Sequence, residues 1–235
     1  MKKFLDKIFS FSNHTLDFIL PRLCISCQEI LQIKQRYLCV NCLNSLPTVT
    51  TERINEEYEK KFLKEKFVDE FAAAFIFEKD KALQKVLHSL KYNENFKVGI
   101  FIGETIAGLV KNIIHGWNPD FIVPVPLHRL KKAERGFNQS YYIAKGIANI
   151  ISIPIKTNVI KRNRFTRTQT ELHVDERKEN VKNAFKVLKV NNVDNKKIIL
   201  LDDVITTGAT ISECAKVLKE NGALKVYGLS VALAD

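Results

Sequence analysis

Apolar and polar positions follow two different rhythms along this chain. Phe71, Ala73, Phe75 and Phe77 recur at every second position, the period of a strand with one aromatic face. The runs Asp120–Pro126 and Lys197–Asp202 are almost continuously apolar, as buried parallel strands are. Helical spacing fills the intervals: Asp80 caps a helix through Leu90, and a second spans Phe96–Ile114, closed by Gly116-Trp117-Asn118-Pro119. Others run over Gly136–Ile151 and 210–220, the last ending at Asn221-Gly222. Further strands are predicted at Ile155–Ile160 and Leu224–Leu233, and a short helix around Asp175–Ala184. Alternating strands and helices imply parallel strands joined by crossover helices, an α/β doubly wound sheet. Arg162 to Glu171 has no hydrophobic period and reads as a loop long enough to serve a function.

One strand end carries chemistry. Ile198-Ile199-Leu200-Leu201 runs into Asp202-Asp203 and then into the small, hydroxyl-rich turn Thr206-Thr207-Gly208-Ala209-Thr210 before a helix. Ligands of open α/β sheets bind at carboxyl strand ends, and amides at a helix N-terminus suit a phosphate. Carboxylates repel phosphate but accept hydrogen bonds from vicinal hydroxyls. A phosphorylated sugar satisfies both halves, with ribose hydroxyls on Asp202 and Asp203 and the 5′-phosphate in the turn. The Gly-Lys-Ser/Thr ending of a nucleoside triphosphate loop is missing.

An apolar strand, two acids and Thr-Thr-Gly-x-Thr resemble the phosphoribosyl pyrophosphate motif of type I phosphoribosyltransferases. A second stretch supports the likeness: Val123-Pro124-Val125-Pro126-Leu127-His128-Arg129, then Arg135-Gly136-Phe137-Asn138-Gln139-Ser140, at another strand end. The resemblance implies that Leu127, His128 and Arg129 embrace pyrophosphate with amides and a guanidinium.

The N-terminal part reads differently. Cys24-Ile25-Ser26-Cys27 and Cys39-Val40-Asn41-Cys42 are two Cys-x-x-Cys pairs, whose spacing suits one tetrahedral Zn²⁺ held by Cys24, Cys27, Cys39 and Cys42 as a closed structural site. Two disulfides or a redox pair are the alternatives. The fifth cysteine, Cys214, reads as a small core residue. Residues 1–20 suggest an amphipathic helix broken near Asn13 and stopped by Pro21. It is too interrupted to span a membrane, so there is no transmembrane segment, and peripheral membrane contact is the most it offers. The expected organisation is an N-terminal helix and zinc module over 1–48, a connector with some helix over 49–66, and the main domain over 67–235.

The formal net charge of +11 in 235 residues points to an anionic partner. Arg129, Lys131, Lys132 and Arg135 follow one strand, and Lys161, Arg162, Arg164 and Arg167 the next, interleaved with Phe137, Tyr141, Tyr142 and Phe165. Cations and aromatic faces are the components of single-stranded DNA binding, although at least two of Phe137, Tyr141 and Tyr142 are expected in the core. His14, His88, His115, His128 and His173 read as surface or loop residues, and only His128 lies in the pyrophosphate loop.

With the Pro21-x-x-Cys24 entry, Lys91-Tyr92, Thr168-Gln169 and Arg177-x-x-Asn180, the set resembles the ComF family of competence proteins over essentially the whole chain. That likeness implies a type I phosphoribosyltransferase-like parallel sheet flanked by helices, behind a small N-terminal zinc-ribbon-like module. It implies handling of single-stranded DNA on the cytoplasmic side of the membrane during natural transformation, alongside DNA-uptake or recombination proteins. Lys91 joins the phosphoribosyl pyrophosphate set, with Mg²⁺ carried by that ligand. The alternative is an active phosphoribosyltransferase that transfers pentosyl to a nucleobase or other nitrogen, with Asp202 and Asp203 as its catalytic acids.

Overall fold

In the computed structural model, residues 21–79, 81–92, 95–164, 179 and 181–234 are described. The expected N-terminal helix, the cap Asp80, Phe165, Arg167, Thr168-Gln169, His173, Arg177 and Asn180, with most of the expected helix at 175–184, lie outside them. The strands are β1 (Glu70–Ile76), β2 (Phe121–Pro124), β3 (Ile160–Arg162), β4 (Phe185–Val187), β5 (Lys197–Ile205) and β6 (Lys225–Leu233). The helices are α1 (Val40–Asn44), α2 (Thr51–Lys61), α3 (Ala82–Tyr92), α4 (Phe96–Trp117), α5 (Arg129–Arg135), α6 (Gln139–Ile151) and α7 (Ala209–Glu220).

Four strands form a parallel sheet in the order β1-β6-β5-β2. The apolar run of β5 divides by parity, because successive side chains of a strand point to opposite faces. Ile199 and Leu201 enter the core built with α3, α4 and α6, and Ile198 and Leu200 enter the core built with α7 and Phe62. All four are fully buried. The sheet is therefore covered on both sides and tolerates no alternation in its central strand. On one side α4 and α6 approach so closely that a Cβ at Gly103 would meet the Ile143 carbonyl and one at Gly146 the Ile100 carbonyl.

The expected strand at Ile155–Ile160 does not join this sheet. Ile155 makes one isolated parallel bridge to Ile122, framed by Ile122 N–H to Pro154 O and Lys156 N–H to Ile122 O. Exposed Thr157 and Asn158 then carry the chain away, and β3 pairs antiparallel with β4 as a separate two-stranded ribbon. The aromatic strand β1 is buried on both faces rather than one. Within the connector, α2 is capped by Thr50, whose Oγ1 accepts from Arg53 N.

The cysteine segment shares a core with the sheet. Cys24, Leu31, Leu38, Cys39 and Leu46 belong to the same buried cluster as α3 and α4. Arg36 pairs with Glu104 at 2.6 Å, Lys85 Nζ donates to Ser26 O at 2.8 Å, and the Tyr37 ring leans on Phe101. Among the described residues α4 alone is long and apolar enough to cross a membrane, and half of that window is buried in this core.

Candidate functional site

Asp202 and Asp203 sit half-buried near the carboxyl end of β5. Lys91, from the last turn of α3, reaches Asp203 Oδ2 at 2.6 Å. Asp202 Oδ1 accepts from Asp203 N at 2.9 Å and from Ser140 Oγ, in the first turn of α6, at 3.4 Å. Two adjacent carboxylates in a poorly solvated place cannot ionise equally. Burial, and then the Asp203 charge, push Asp202 up to about 7. Burial also opposes ionisation of Asp203, but the Lys91 ammonium overrides it and holds that carboxyl below the usual range. The pair thus presents one ionised acceptor and one group that can donate or accept near neutrality, a set suited to vicinal hydroxyls.

The turn Thr206–Thr210 links β5 to α7, with Gly208 as the N-cap of α7 at φ 75°. Its tightness has a cause elsewhere in the chain: a Cβ on Gly208 would lie 2.8 Å from the Phe62 ring and 3.2 Å from Lys61 Cβ. The end of α2 therefore forms the back wall of the turn. The hollow bounded by Asp202, Thr206, Gly208, Ala209, Thr210 and Ile211 measures only about 10 Å³, smaller than a phosphate.

After β2, Leu127-His128-Arg129 leads into α5, a short helix where a basic loop was expected. His128 is buried, and its Nδ1 accepts from Leu130 N at 3.3 Å, which makes it the cap of that helix. Asn138 caps α6, and its side-chain amide donates to Val125 O at 3.0 Å, tying the start of α6 to the end of β2.

Between these elements and the β3–β4 ribbon lies a cavity of about 810 Å³. Arg129, Lys132, Lys161 and Arg162 line it together with Phe137, Tyr141 and Tyr142. None of these three rings is fully buried, contrary to the expectation that at least two would be core. They pack on one another, Phe137 edge-on to Tyr142 at 5.3 Å and Tyr141 edge-on to Tyr142 at 5.2 Å, and leave ring surface facing the cavity. Both predicted basic clusters thus contribute to one concavity. Lys131 and Arg135 do not line it. Burial pulls Lys131 below its usual value, with Arg162 and Arg135 adding to the effect. Arg164 spends its guanidinium on the carbonyls of Glu179 and Lys182.

The four cysteine sulfurs Cys24, Cys27, Cys39 and Cys42 lie within 4.8 Å of one another. A tetrahedral Zn²⁺ with Zn–S of about 2.3 Å has S···S edges of about 3.8 Å, and Cys27 Sγ to Cys39 Sγ is 3.7 Å. That separation is far beyond a disulfide bond, and all four thiols are free. Backbone amides already serve the sulfurs, Cys39 N donating to Cys24 Sγ and Cys42 N to Cys39 Sγ, each at 3.4 Å. Burial alone would raise the Cys24 thiol, but amides of Cys27, Cys39 and Ser26 bring it down to about 6. The donor set and its spacing fit a structural metal with no open position.

Sequence reasoning assigned no role to Ser140, Gln139 or Phe62. The first two lie in the quoted stretch Arg135–Ser140, so a signal was present. Nothing local marks Phe62.

A family model described as the phosphoribosyl transferase domain matches residues 91–232. Competence protein F of Haemophilus influenzae is 37% identical over 117 residues, covering 48% of this chain and 51% of that protein. DNA utilization protein YhgH is 31% identical over 150 residues in Escherichia coli and 40% over 148 in Salmonella typhi, each match covering 61% of this chain and 64% of the relative. The chain spans about half to two-thirds of the length of these curated relatives. The matched segment opens on Lys91, which pairs with Asp203, and runs through both strand-end loops to β6; the chain belongs to the phosphoribosyl transferase domain family, and its relatives fit a ComF family protein.

Proposed function

We propose that this protein handles incoming single-stranded DNA during natural transformation and carries an adjoining site for phosphoribosyl pyrophosphate, whose loop Leu127–Arg129 borders the same cavity. The observation that supports this most is the cavity lined by Arg129, Lys132, Lys161 and Arg162 together with the partly buried rings of Phe137, Tyr141 and Tyr142. Cations track a backbone while aromatic faces stack bases without regard to sequence. Deoxyribose lacks the 2′-hydroxyl that the acid pair would read, so the strand belongs in the cavity and the ribosyl ligand on Asp202 and Asp203. Thr206, Thr207, Gly208, Ala209 and Thr210 hold its 5′-phosphate, and Lys91 exchanges Asp203 for the pyrophosphate. Mg²⁺ would come with the pyrophosphate and shield its charge. Zn²⁺ on the four cysteines organises the N-terminal segment. DNA-uptake or recombination proteins at the cytoplasmic face of the membrane are the setting this reading implies.

The names of the relatives, competence protein F and DNA utilization protein, point the same way. The test is fluorescence anisotropy of a labelled single strand across a salt series, with and without Mg²⁺ and phosphoribosyl pyrophosphate. Binding should weaken with a log-log slope of about −0.7 per neutralised phosphate. No binding even at low salt removes the DNA reading.

A second reading is favoured by the completeness of the acid pair, its lysine and the hydroxyl turn. Here the bond from the anomeric carbon to pyrophosphate breaks, Asp202 and Asp203 stabilise the positive centre, and a nitrogen lone pair forms the new bond. Pyrophosphate release on addition of a nucleobase or another nitrogen acceptor would establish it.

A further inference from the structure

Arg135 makes a single hydrogen bond among the described residues, from Nη1 to Gln139 Oε1 at 3.2 Å. Its partner is a neutral amide, and no carboxylate among the described residues forms a direct ion pair with it. Gln139 is 2% exposed, and its Nε2 has no hydrogen-bond partner. A guanidinium only donates, so the amide oxygen has to face Arg135, and turning the amide over cannot satisfy the buried NH₂. A glutamate of the same shape would remove that unmet donor and pair with the arginine. Glutamine instead holds the guanidinium and leaves its remaining donors open.

The surroundings indicate what those donors meet. Arg135 acts electrostatically on Lys91, Lys131 and Asp203, whereas it does not line the large cavity. The residue after Gln139, Ser140, donates to Asp202. Lys91 and Arg135 thus both act on the acid pair, with Lys131 close enough to feel both cations, a concentration of positive charge that a neutral sugar does not require.

We infer that Gln139 is a positioning residue that holds Arg135 open for the pyrophosphate group of a phosphoribosyl donor, which places Arg135 with the acid pair rather than with the DNA cavity. This inference rests on the reading that Asp202 and Asp203 take a phosphoribosyl ligand. Gln139 acts only through Arg135, and its buried amide is the cost of keeping that charge unpaired.

The test is calorimetric titration of the 235-residue chain with inorganic pyrophosphate and with Mg²⁺-phosphoribosyl pyrophosphate. Gln139→Glu, which pairs Arg135 internally, should weaken both ligands about tenfold or more and lower the salt dependence of binding by about one charge. Gln139→Met, which removes the unmet donor, should keep or raise the urea midpoint while still losing affinity, a split that a merely structural role would not produce. Arg135→Ala combined with Gln139→Glu should bind no worse than Arg135→Ala alone. If the wild type binds both ligands and the two Gln139 variants match it within about twofold, the inference falls and the phosphoribosyl reading stands. A wild type that binds neither ligand overturns both.

Discussion

Gly208→Ala tests the claim that the turn after β5 owes its shape to α2. Gly208 has φ 75°, where an alanine costs about 1–2 kcal/mol from its Cβ against the backbone. The added carbon would also lie 2.8 Å from Phe62 Cε1, 3.0 Å from Cζ and 3.2 Å from Lys61 Cβ. Phe62 is 1% exposed and has no room to retreat, so the overpacking adds about 1–3 kcal/mol. The variant should therefore lose about 2–5 kcal/mol in urea unfolding followed by far-UV circular dichroism. Phe62→Leu opens the wall, and in the double variant the overpacking part should disappear while the left-handed cost of about 1–2 kcal/mol remains. Titration with phosphoribosyl pyrophosphate should show weaker binding for Gly208→Ala and partial recovery in the double variant. A stability loss below about 0.5 kcal/mol, the ordinary range of a neutral surface change, would refute the argument. So would additivity of the two substitutions.

Purified reduced protein should contain about one equivalent of zinc by elemental analysis. Chelation should lower the melting temperature of the whole chain, because Cys24 and Cys39 share a buried core with α3 and α4; metal-free protein of unchanged stability would sink this. Asp202→Asn with Asp203→Asn should abolish phosphoribosyl pyrophosphate binding while the circular dichroism spectrum stays intact. Because Asp202 is raised to about 7, its native form holds a proton that the unfolded chain releases near pH 4. Wild-type stability should accordingly fall as pH rises from about 4 to about 7, and Asp202→Asn should flatten that fall in urea midpoints. Asp203, lowered by Lys91, contributes in the opposite sense, its stabilisation being lost only as pH drops below its unfolded value. Tyr142→Ala should weaken single-stranded DNA binding by about 1–3 kcal/mol per lost stack without changing the salt slope; unchanged anisotropy would remove that ring from the site.

The run Ile198–Leu201, the acids after it and the hydroxyl turn were legible because each is a local property: parity in a strand, a helix start, residue types able to accept from hydroxyls. The four-cysteine cluster was legible for the same reason, since a short polar loop between two Cys-x-x-Cys pairs leaves the sulfurs few ways to be apart. The strand at Ile155–Ile160 was misread because its apolar residues satisfy a strand pattern, while pairing depends on what lies alongside, and exposed Thr157 and Asn158 turn the chain toward Phe185–Val187. The expectation that at least two of Phe137, Tyr141 and Tyr142 are core fails for a similar reason: an aromatic helix start has the same pattern whether a neighbouring element covers it or leaves a cavity, and all three are only partly buried. His128 looked like a loop residue until the short helix it caps was seen.

By itself, then, the sequence determined the α/β class, the acid pair with its turn, and the four-cysteine cluster, all governed by interactions close along the chain. Only the tertiary structure decided that Lys91 meets Asp203, that Ser140 meets Asp202, that Phe62 stands behind Gly208, and that two basic clusters share one cavity. Those contacts join residues far apart in the chain. The packing of the helices on the two faces of the sheet fixes which of them touch, and no local pattern encodes that.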